Sequence, residues 1–358
     1  MLNIPIEEED SLKRLNSSKI FKERNKNFGT RKRVKEVFSS DDEILKKIFD
    51  ARAAKTLGGC PHCERPFSLF KKIPKKLAFK CKCPYKIHPL KGTHYEQSRT
   101  PLTETVELIY ELFRNKHGVP ATALQRADGG DYDTCLYNLH RASDWMGWSL
   151  EGQKFTPGST IEFDEVYPKA ETGLGEYYKF KRGKGSERTH GILVMTERDD
   201  PEKGIKGITK AFHFDKTNSK EVEALIKKYV RPEDKHKICT DESDYYTFLS
   251  YNGYLHHTIN HGNKEYINKE TGCSTNTVEG CNERVKTTIH RVYLGVHPEY
   301  LQFYINRVAF NHSCRAKNFF EVMDVLFNSL PDFYNCVVRK AKRKSRKRKK
   351  KEQYRPAA

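Results

Sequence analysis

The stretch that decides the fold runs from Ser159 to Tyr167, STIEFDEVY. It reads as a β-strand, because β-branched and aromatic residues interleave with polar ones over a short run. Two more strands are expected, HGILVMTER at 190–198 and GITKAFHF at 207–214. A helical KEVEALIKKYV (220–230) and a short strand HKICTD (236–241) follow. A three-strand meander, a helix and a fourth strand predict a mixed α/β domain rather than a regular βαβ array. Beyond Asp241 the pattern predicts helix in SDYYTFLSY (243–251), a His-rich loop in LHHTINHGN (255–263), a helix opening near Asn276, and helix again over 296–336. The α/β domain is thus expected over residues 155–335.

Upstream the apolar period is helical. In TPLTETVELIYELFRNK (100–116), Leu102, Val106, Ile109, Tyr110 and Phe113 share one face, and Gly118-Val119-Pro120 ends the run. Two further helical stretches, 120–127 and 132–146, complete a helix-turn-helix-like unit over 99–150. Residues 1–50 are charge-rich. A helix is expected from Ser40, where Ser40-Asp41-Asp42 precedes an Ile44, Leu45, Ile48, Phe49 stripe. The remainder of that segment is expected as a flexible basic arm. The far end, 336–358, holds RKAKRKSRKRKKK (339–351), with eleven positive charges and no acid. This tail is too densely charged to pack and suits salt-sensitive contact with phosphate.

The whole chain has 358 residues, which suggests two or three domains, and 36% hydrophobic residues, enough for a folded protein. Its 66 Lys and Arg outnumber 47 Asp and Glu, a net +19 that falls to +8 without the tail. A polyanionic partner is implied, nucleic acid or an anionic membrane surface. No apolar run is long enough to span a bilayer, and the start, MLNIPIEEEDSLKRL, has no apolar signal core. A soluble intracellular protein in a reducing compartment is expected, one whose ten cysteines are not a disulfide framework.

Four of those cysteines have metal-ligand spacing. Cys60 and Cys63 form C-x2-C, and 17 residues later Cys81 and Cys83 form C-x-C. Two knuckles on adjacent hairpins converge on one tetrahedral Zn2+ when the loop between them has about this length. The second knuckle is one residue short of the usual pattern, which leaves His62 or His88 open as a replacement ligand. Zinc here would be structural, supplying folding energy to a ribbon (51–98) too small to bury enough surface.

Three acids draw attention in the α/β domain. Asp164 lies mid-strand, Asp241 ends a strand, and Glu279 stands at the start of a helix in STNTVEGCNERVK (274–286). Helical spacing brings Asn276, Glu279, Glu283 and Lys286 near one face. Two strand-borne Asp and one helix-borne Glu are what a two-metal phosphoryl-transfer centre needs, with two Mg2+ (or Mn2+) ions held between them. Spacing leaves blander roles open: Asp241 as a helix N-cap, Glu279 as part of a capping box begun by Asn276, and Asp164 as an exposed strand residue.

From Cys60 to about Arg315 the chain resembles bacterial insertion-sequence transposases of the ISXO type, relatives of the eukaryotic Merlin elements. That family joins a zinc ribbon to an RNase H-like DDE domain. The resemblance is carried, in order, by the paired Cys knuckles, HPLKGTHYEQSRTPL, GSTIEFDEVY, HGILVMTER, ICTDESDYY, NHGNKEYIN, and STNTVEG followed by Lys286. It implies that Asp164, Asp241 and Glu279 are the catalytic acids and Mg2+ ligands, and that Lys286 and Asn276 touch DNA beside them. The family's usual His-Thr-Asn reads Ser274-Thr275-Asn276 here, and Cys281-Asn282 stand where an aromatic is usual. His256, His257 and His261 resemble its His-x-x-x-Asn-His loop, read as a polar loop near DNA or ordinary solvent-exposed histidines in preference to an extra metal site.

The implied activity is a DNA transposase acting on double-stranded DNA, both terminal inverted repeats and target, as a homodimer or larger oligomer when synapsed. The ribbon and the helical unit would bind the repeats mainly through phosphates. Cleavage would expose a 3′-OH that then attacks the target strand, in a prokaryotic cytoplasm or a eukaryotic nucleus. GKGS at Gly183–Ser186 is expected as a hairpin tip or disordered loop, not a phosphate cradle. Competing functions are a transposase-derived DNA-binding regulator without catalysis and a stand-alone metal-dependent nuclease.

Overall fold

The computed structural model of the chain describes residues 30–168, 191–214, 219–259 and 267–334. The first 29 residues, Gly183–Ser186, His261 and the polybasic tail lie outside the described residues. Among the described residues no helix is long and apolar enough to cross a membrane.

Chain order gives α1 (Arg31–Val37), α2 (Asp41–Lys55), β1 (Lys71–Lys72), β2 (Phe79–Lys80), β3 (Lys86–Ile87), α3 (Leu102–Arg114), α4 (Ala121–Asp128) and α5 (Tyr132–Glu151). Then follow β4 (Thr160–Val166), β5 (Gly191–Glu197), β6 (Thr209–Phe214), α6 (Ser219–Tyr229), β7 (Lys237–Asp241), α7 (Thr247–Tyr251) and β8 (Leu255–Ile259). The chain ends its described course in α8 (Asn276–Thr287), α9 (Pro298–Ser313) and α10 (Phe319–Ser329).

Five strands form one sheet in the order β6-β5-β4-β7-β8. The β4–β5 and β5–β6 pairs are antiparallel, while β4–β7 and β7–β8 are parallel. Period-two alternation sorts β4 onto two faces. Ile161 and Phe163 pack with Leu193, Met195, Ile238 and the α6 residues Val222 and Ile226. Val166 points the other way, with Val194 and the α8 residues Val278, Cys281 and Val285. Glu162 and Asp164 share that second face, so the strand presents its acids to α8.

Two expectations are corrected. The His-rich stretch is not all loop, because Leu255–Ile259 pairs in parallel with Lys237–Asp241 as the edge strand β8. The short polar-apolar LHHTI carries little β-signal of its own, and the ladder along β7 supplies what is missing. The described part of the basic arm is helix α1, capped by Thr30, whose hydroxyl accepts from Arg33 N. Val34 is buried, and Phe38 just beyond stacks on Phe320, so tertiary packing stabilises a segment too short to be helical alone.

The helix from Ser40 forms as expected, its cap accepting from Glu43 N. Its last turn carries Arg52, which is fully buried. The guanidinium donates to the carbonyls of Pro331 (2.9 Å), Lys91 (2.8 Å), Asp332 (3.0 Å) and Pro89, and lies 4.9 Å over the Phe333 ring. One cation thereby ties α2 to the cysteine-bearing segment and to the chain after α10. Arg52→Met should lower the unfolding free energy in urea by about 3 kcal/mol, since several buried carbonyls lose a charged donor. A loss well under 1 kcal/mol would show that these carbonyls find water instead.

Candidate active site and metal centre

The register of β4 on β7 brings two acids together. The last ladder pair is Glu162 with Cys239, and two residues further on each parallel strand come Asp164 and Asp241, on the same face. Helix α8 crosses that face on Val278, Cys281 and Val285 and turns its polar side to the acids. The result is a cleft of about 450 Å3 lined by Asp164, Glu165, Asp241, Thr275, Glu279, Asn282, Glu283 and Lys286.

Each acid is held by a neighbour. Asp164 Oδ1 accepts from Glu165 N (2.9 Å) and Oδ2 from the Asn282 side-chain amide (2.7 Å). Burial, then the Asp241 charge, and more weakly the Glu279 charge, raise the Asp164 carboxyl from 3.8 to about 6 against those two bonds. Asp241 Oδ1 accepts from Ser243 N at 3.1 Å, while the following helical turn takes Ser243 as its N-cap. Thr275 precedes the first residue of α8, and its hydroxyl donates to Glu279 Oε1 at 2.8 Å. The capping roles left open for Asp241 and Glu279 are therefore not the ones they play, and Asp164 is not an exposed strand residue.

The expected site residues thus divide. Asp164, Asp241, Glu279 and Lys286 line one cleft, whereas Asn276 opens α8 in an exposed position and is not among the lining residues. Asp164 and Asp241 sit on neighbouring parallel strands, and Glu279 lines the same cleft from α8. Among the described residues, only the four cysteines bring three or more ligand atoms within 4.8 Å of one another.

Two residues escaped the sequence reading. Asn282, in the Cys281-Asn282 departure, holds Asp164. Glu162 is fully buried yet charged in kind. Its Oε2 accepts from Thr277 N (2.8 Å) and Val278 N (2.9 Å), the free amides of the first turn of α8, and its Oε1 accepts from Arg198 Nε. Arg198 also donates to Ser274 O (2.7 Å) and Gly272 O (3.1 Å), so the loop entering α8 hangs from the same pair. The signal was present in TIEFDEV, since Glu162 sits one alternation before Asp164 on the same face.

The metal-like cysteines converge as spaced. Cys60 Sγ lies 3.4 Å from Cys83 Sγ, and Cys63 Sγ lies 3.5 Å from Cys81 Sγ. Four soft thiols at this closeness fit tetrahedral Zn2+ and need no histidine. His62 is exposed with its ring 5.1 Å from that of Tyr85, and His88 is exposed as well. In β8, His256 is hydrogen-bonded with Thr240 (2.9 Å) and Ser250 (3.3 Å), a strand histidine satisfied by hydroxyls.

Two carboxylates on one strand face should respond oppositely to loss of charge. Because the unfolded chain ionises Asp164 at 3.8 and the folded one near 6, the unfolded state binds fewer protons between these values. Stability therefore falls as pH rises through that window and stays reduced above it. Without divalent cations, Asp164→Asn should be more stable than the parent by about 1–3 kcal/mol at neutral pH, the gap closing below about pH 4. Glu162→Gln should cost about 3 kcal/mol, because the Thr277 and Val278 amides and the half-buried Arg198 lose a charged acceptor inside the fold. Urea titrations across pH read both, and equal signs for the two variants would refute this assignment. Metal analysis should find about one Zn2+ per chain, lost in Cys81→Ser and kept in the His62→Ala and His88→Ala variants.

Residues 156–312 match the ISXO2-like transposase domain family. No curated protein matches the chain. The matched stretch begins before β4 and ends inside α9, so it contains every strand of the mixed sheet, the acidic cleft and the Glu162 clamp. The sheet is the RNase H-like one that the resemblance implied, preceded by a cysteine cluster that fits a zinc ribbon. Over residues 156–312 the chain is similar to ISXO2-like transposase domains.

Proposed function

We propose that the chain is a DNA transposase that binds the terminal inverted repeats of an insertion sequence, cuts at their 3′ ends and joins them to target DNA. The observation that carries this reading is the cleft in which Asp164 and Asp241, side by side on parallel strands, face Glu279 and Lys286 on α8. Burial, together with the neighbouring Asp241 and Glu279 charges, raises Asp164 to about 6, and the hard carboxylate oxygens lining this one cleft form a donor set that suits hard divalent cations. Asp164, Asp241 and Glu279 would hold Mg2+ or Mn2+, which supplies Lewis acidity and charge neutralisation for in-line phosphoryl transfer.

The protein's own groups do the positioning. Asn282 fixes one oxygen of Asp164, Thr275 fixes one of Glu279, and Glu162 sets the helix on which Glu279, Asn282 and Lys286 ride. Lys286, exposed at the cleft wall, meets a phosphate of the bound strand. Water attacks the phosphodiester at the element's end and the 3′ oxygen leaves, taking up a proton. That 3′-OH then attacks a target phosphodiester and displaces its 3′ oxygen, so phosphodiester count is conserved and no covalent protein intermediate arises. Synapsis of two ends calls for a dimer or larger assembly.

Asp164→Ala or Asp241→Ala should reduce cleavage of end-bearing duplexes by about 10³-fold or more while end binding stays within a few-fold of the parent. Parallel loss of binding would make the acids structural. Cleavage without joining by the parent protein would instead identify a nuclease, and binding with neither reaction a regulator.

A further inference from the structure

The segment between Arg65 and Tyr95 contains eight lysines and no acid. Strand pairing turns three of them into a row. In the three-stranded antiparallel sheet, Lys71 pairs with Lys80 and Lys80 with Lys86, so the three side chains leave the same face. All three are exposed, and among the described residues none has an ion-pair partner. The opposite face is committed inward: Phe79 and Ile87 are buried, and Phe79 stacks on Phe49 of α2 with ring centroids 4.2 Å apart. Lys72, on that side of β1, pairs with Asp42 at 2.6 Å. Packing of the inner face therefore fixes which way the lysine row points.

Like charges placed directly opposite one another across strands destabilise a sheet. Folding alone gives no reason for this row, and four thiolates with one Zn2+ would leave the segment strongly positive. We infer that the Lys71–Lys80–Lys86 row is a docking face for the phosphate backbone of duplex DNA. Two strand spacings span about 10 Å. A duplex carries a phosphate about every 3.4 Å of axis on each strand, so the row matches about three phosphates. Lysines contacting phosphate carry no base information, and the face is sequence-independent. The inference rests on the reading of the chain as a DNA-acting protein, and it locates where the duplex is gripped away from the acidic cleft.

The test is the salt dependence of binding of full-length, zinc-loaded protein to a short random-sequence DNA duplex without divalent cations. Lys71→Gln/Lys80→Gln/Lys86→Gln should flatten the slope of log K against log salt by about 3, roughly 0.9 per phosphate contact. The triple Arg variant should keep the parent slope, and Lys72→Gln should leave it unchanged. Zinc content and urea stability of the triple Gln variant should equal or exceed the parent's, showing an intact ribbon. The same drop should appear in an Asp164→Ala background, so failure of the catalytic reading would leave this result standing. An unchanged slope with zinc retained would overturn the inference. So would an equal drop in Lys72→Gln, or a triple variant that loses binding to phosphatidylserine vesicles but not to DNA.

Discussion

The site depends on one buried carboxylate. Apolar contacts of Val278, Cys281 and Val285 press α8 against the sheet, but burial is non-directional and would tolerate sliding or rotation of the helix. Glu162 removes that freedom. By accepting from the Thr277 and Val278 amides it sets the height of the helix above β4, and through Arg198 it holds the loop from Gly272 to Ser274. Only with the first turn fixed in this way do Glu279 and Asn282, one turn further, face Asp164. A buried charge this well satisfied is stable because two orphan amides and a guanidinium replace its water.

Glu162 and Asp164 share a strand, a face and a chemical group, and their surroundings set them to opposite tasks. The first meets a helix N-terminus and a cation, so its charge is stabilised. The second is buried without a cation and meets Asp241 and Glu279, so its charge is resisted, first by burial and then by those neighbours, as its rise to about 6 records. The fold spends its compensating donors on holding the helix and leaves the cleft with surplus negative charge. That surplus is what gives the cleft a use, because a perturbed carboxyl among other carboxyls is poised to take up cations or protons.

How much of this was legible follows the range of the interactions. Strand alternation in STIEFDEVY and HGILVMTER and helical spacing in 274–286 are local, and they placed Asp164, Asp241, Glu279 and Lys286 where one cleft gathers them. The cysteine pairs were legible for the same reason, and convergence of all four removed the need for His62 or His88. What stayed hidden is set by partners far along the chain. Strand β8 exists because β7 offers a ladder, and α1 because Phe38 finds Phe320, nearly three hundred residues away. Glu162 looked like one more acid because its donors lie at 198, 277 and 278. Asn276 shares the helix of the cleft residues, but as the first residue of α8 it lies outside the lining.

Ribbon and cleft are parts of one packed body. A continuous apolar cluster runs from Val34 and Phe49 through Phe79, Leu112 and Trp145 to Val194, Val278 and Leu326. Polar ties reinforce it, as Trp145 donates to Leu326 O (3.2 Å) and His140 pairs with Tyr304 (3.1 Å). The inner face of the ribbon that aims the lysine row and the helix that aims Glu279 are thus set by the same core. Phosphates held at a distance from the scissile bond supply binding energy that a rigid frame can turn into orientation at the reacting phosphate. Were the ribbon joined only by a flexible linker, that energy would raise affinity and leave the chemical step as it was. Packing continuity is therefore what would let the proposed grip on the backbone contribute to the chemistry proposed for Asp164 and Asp241.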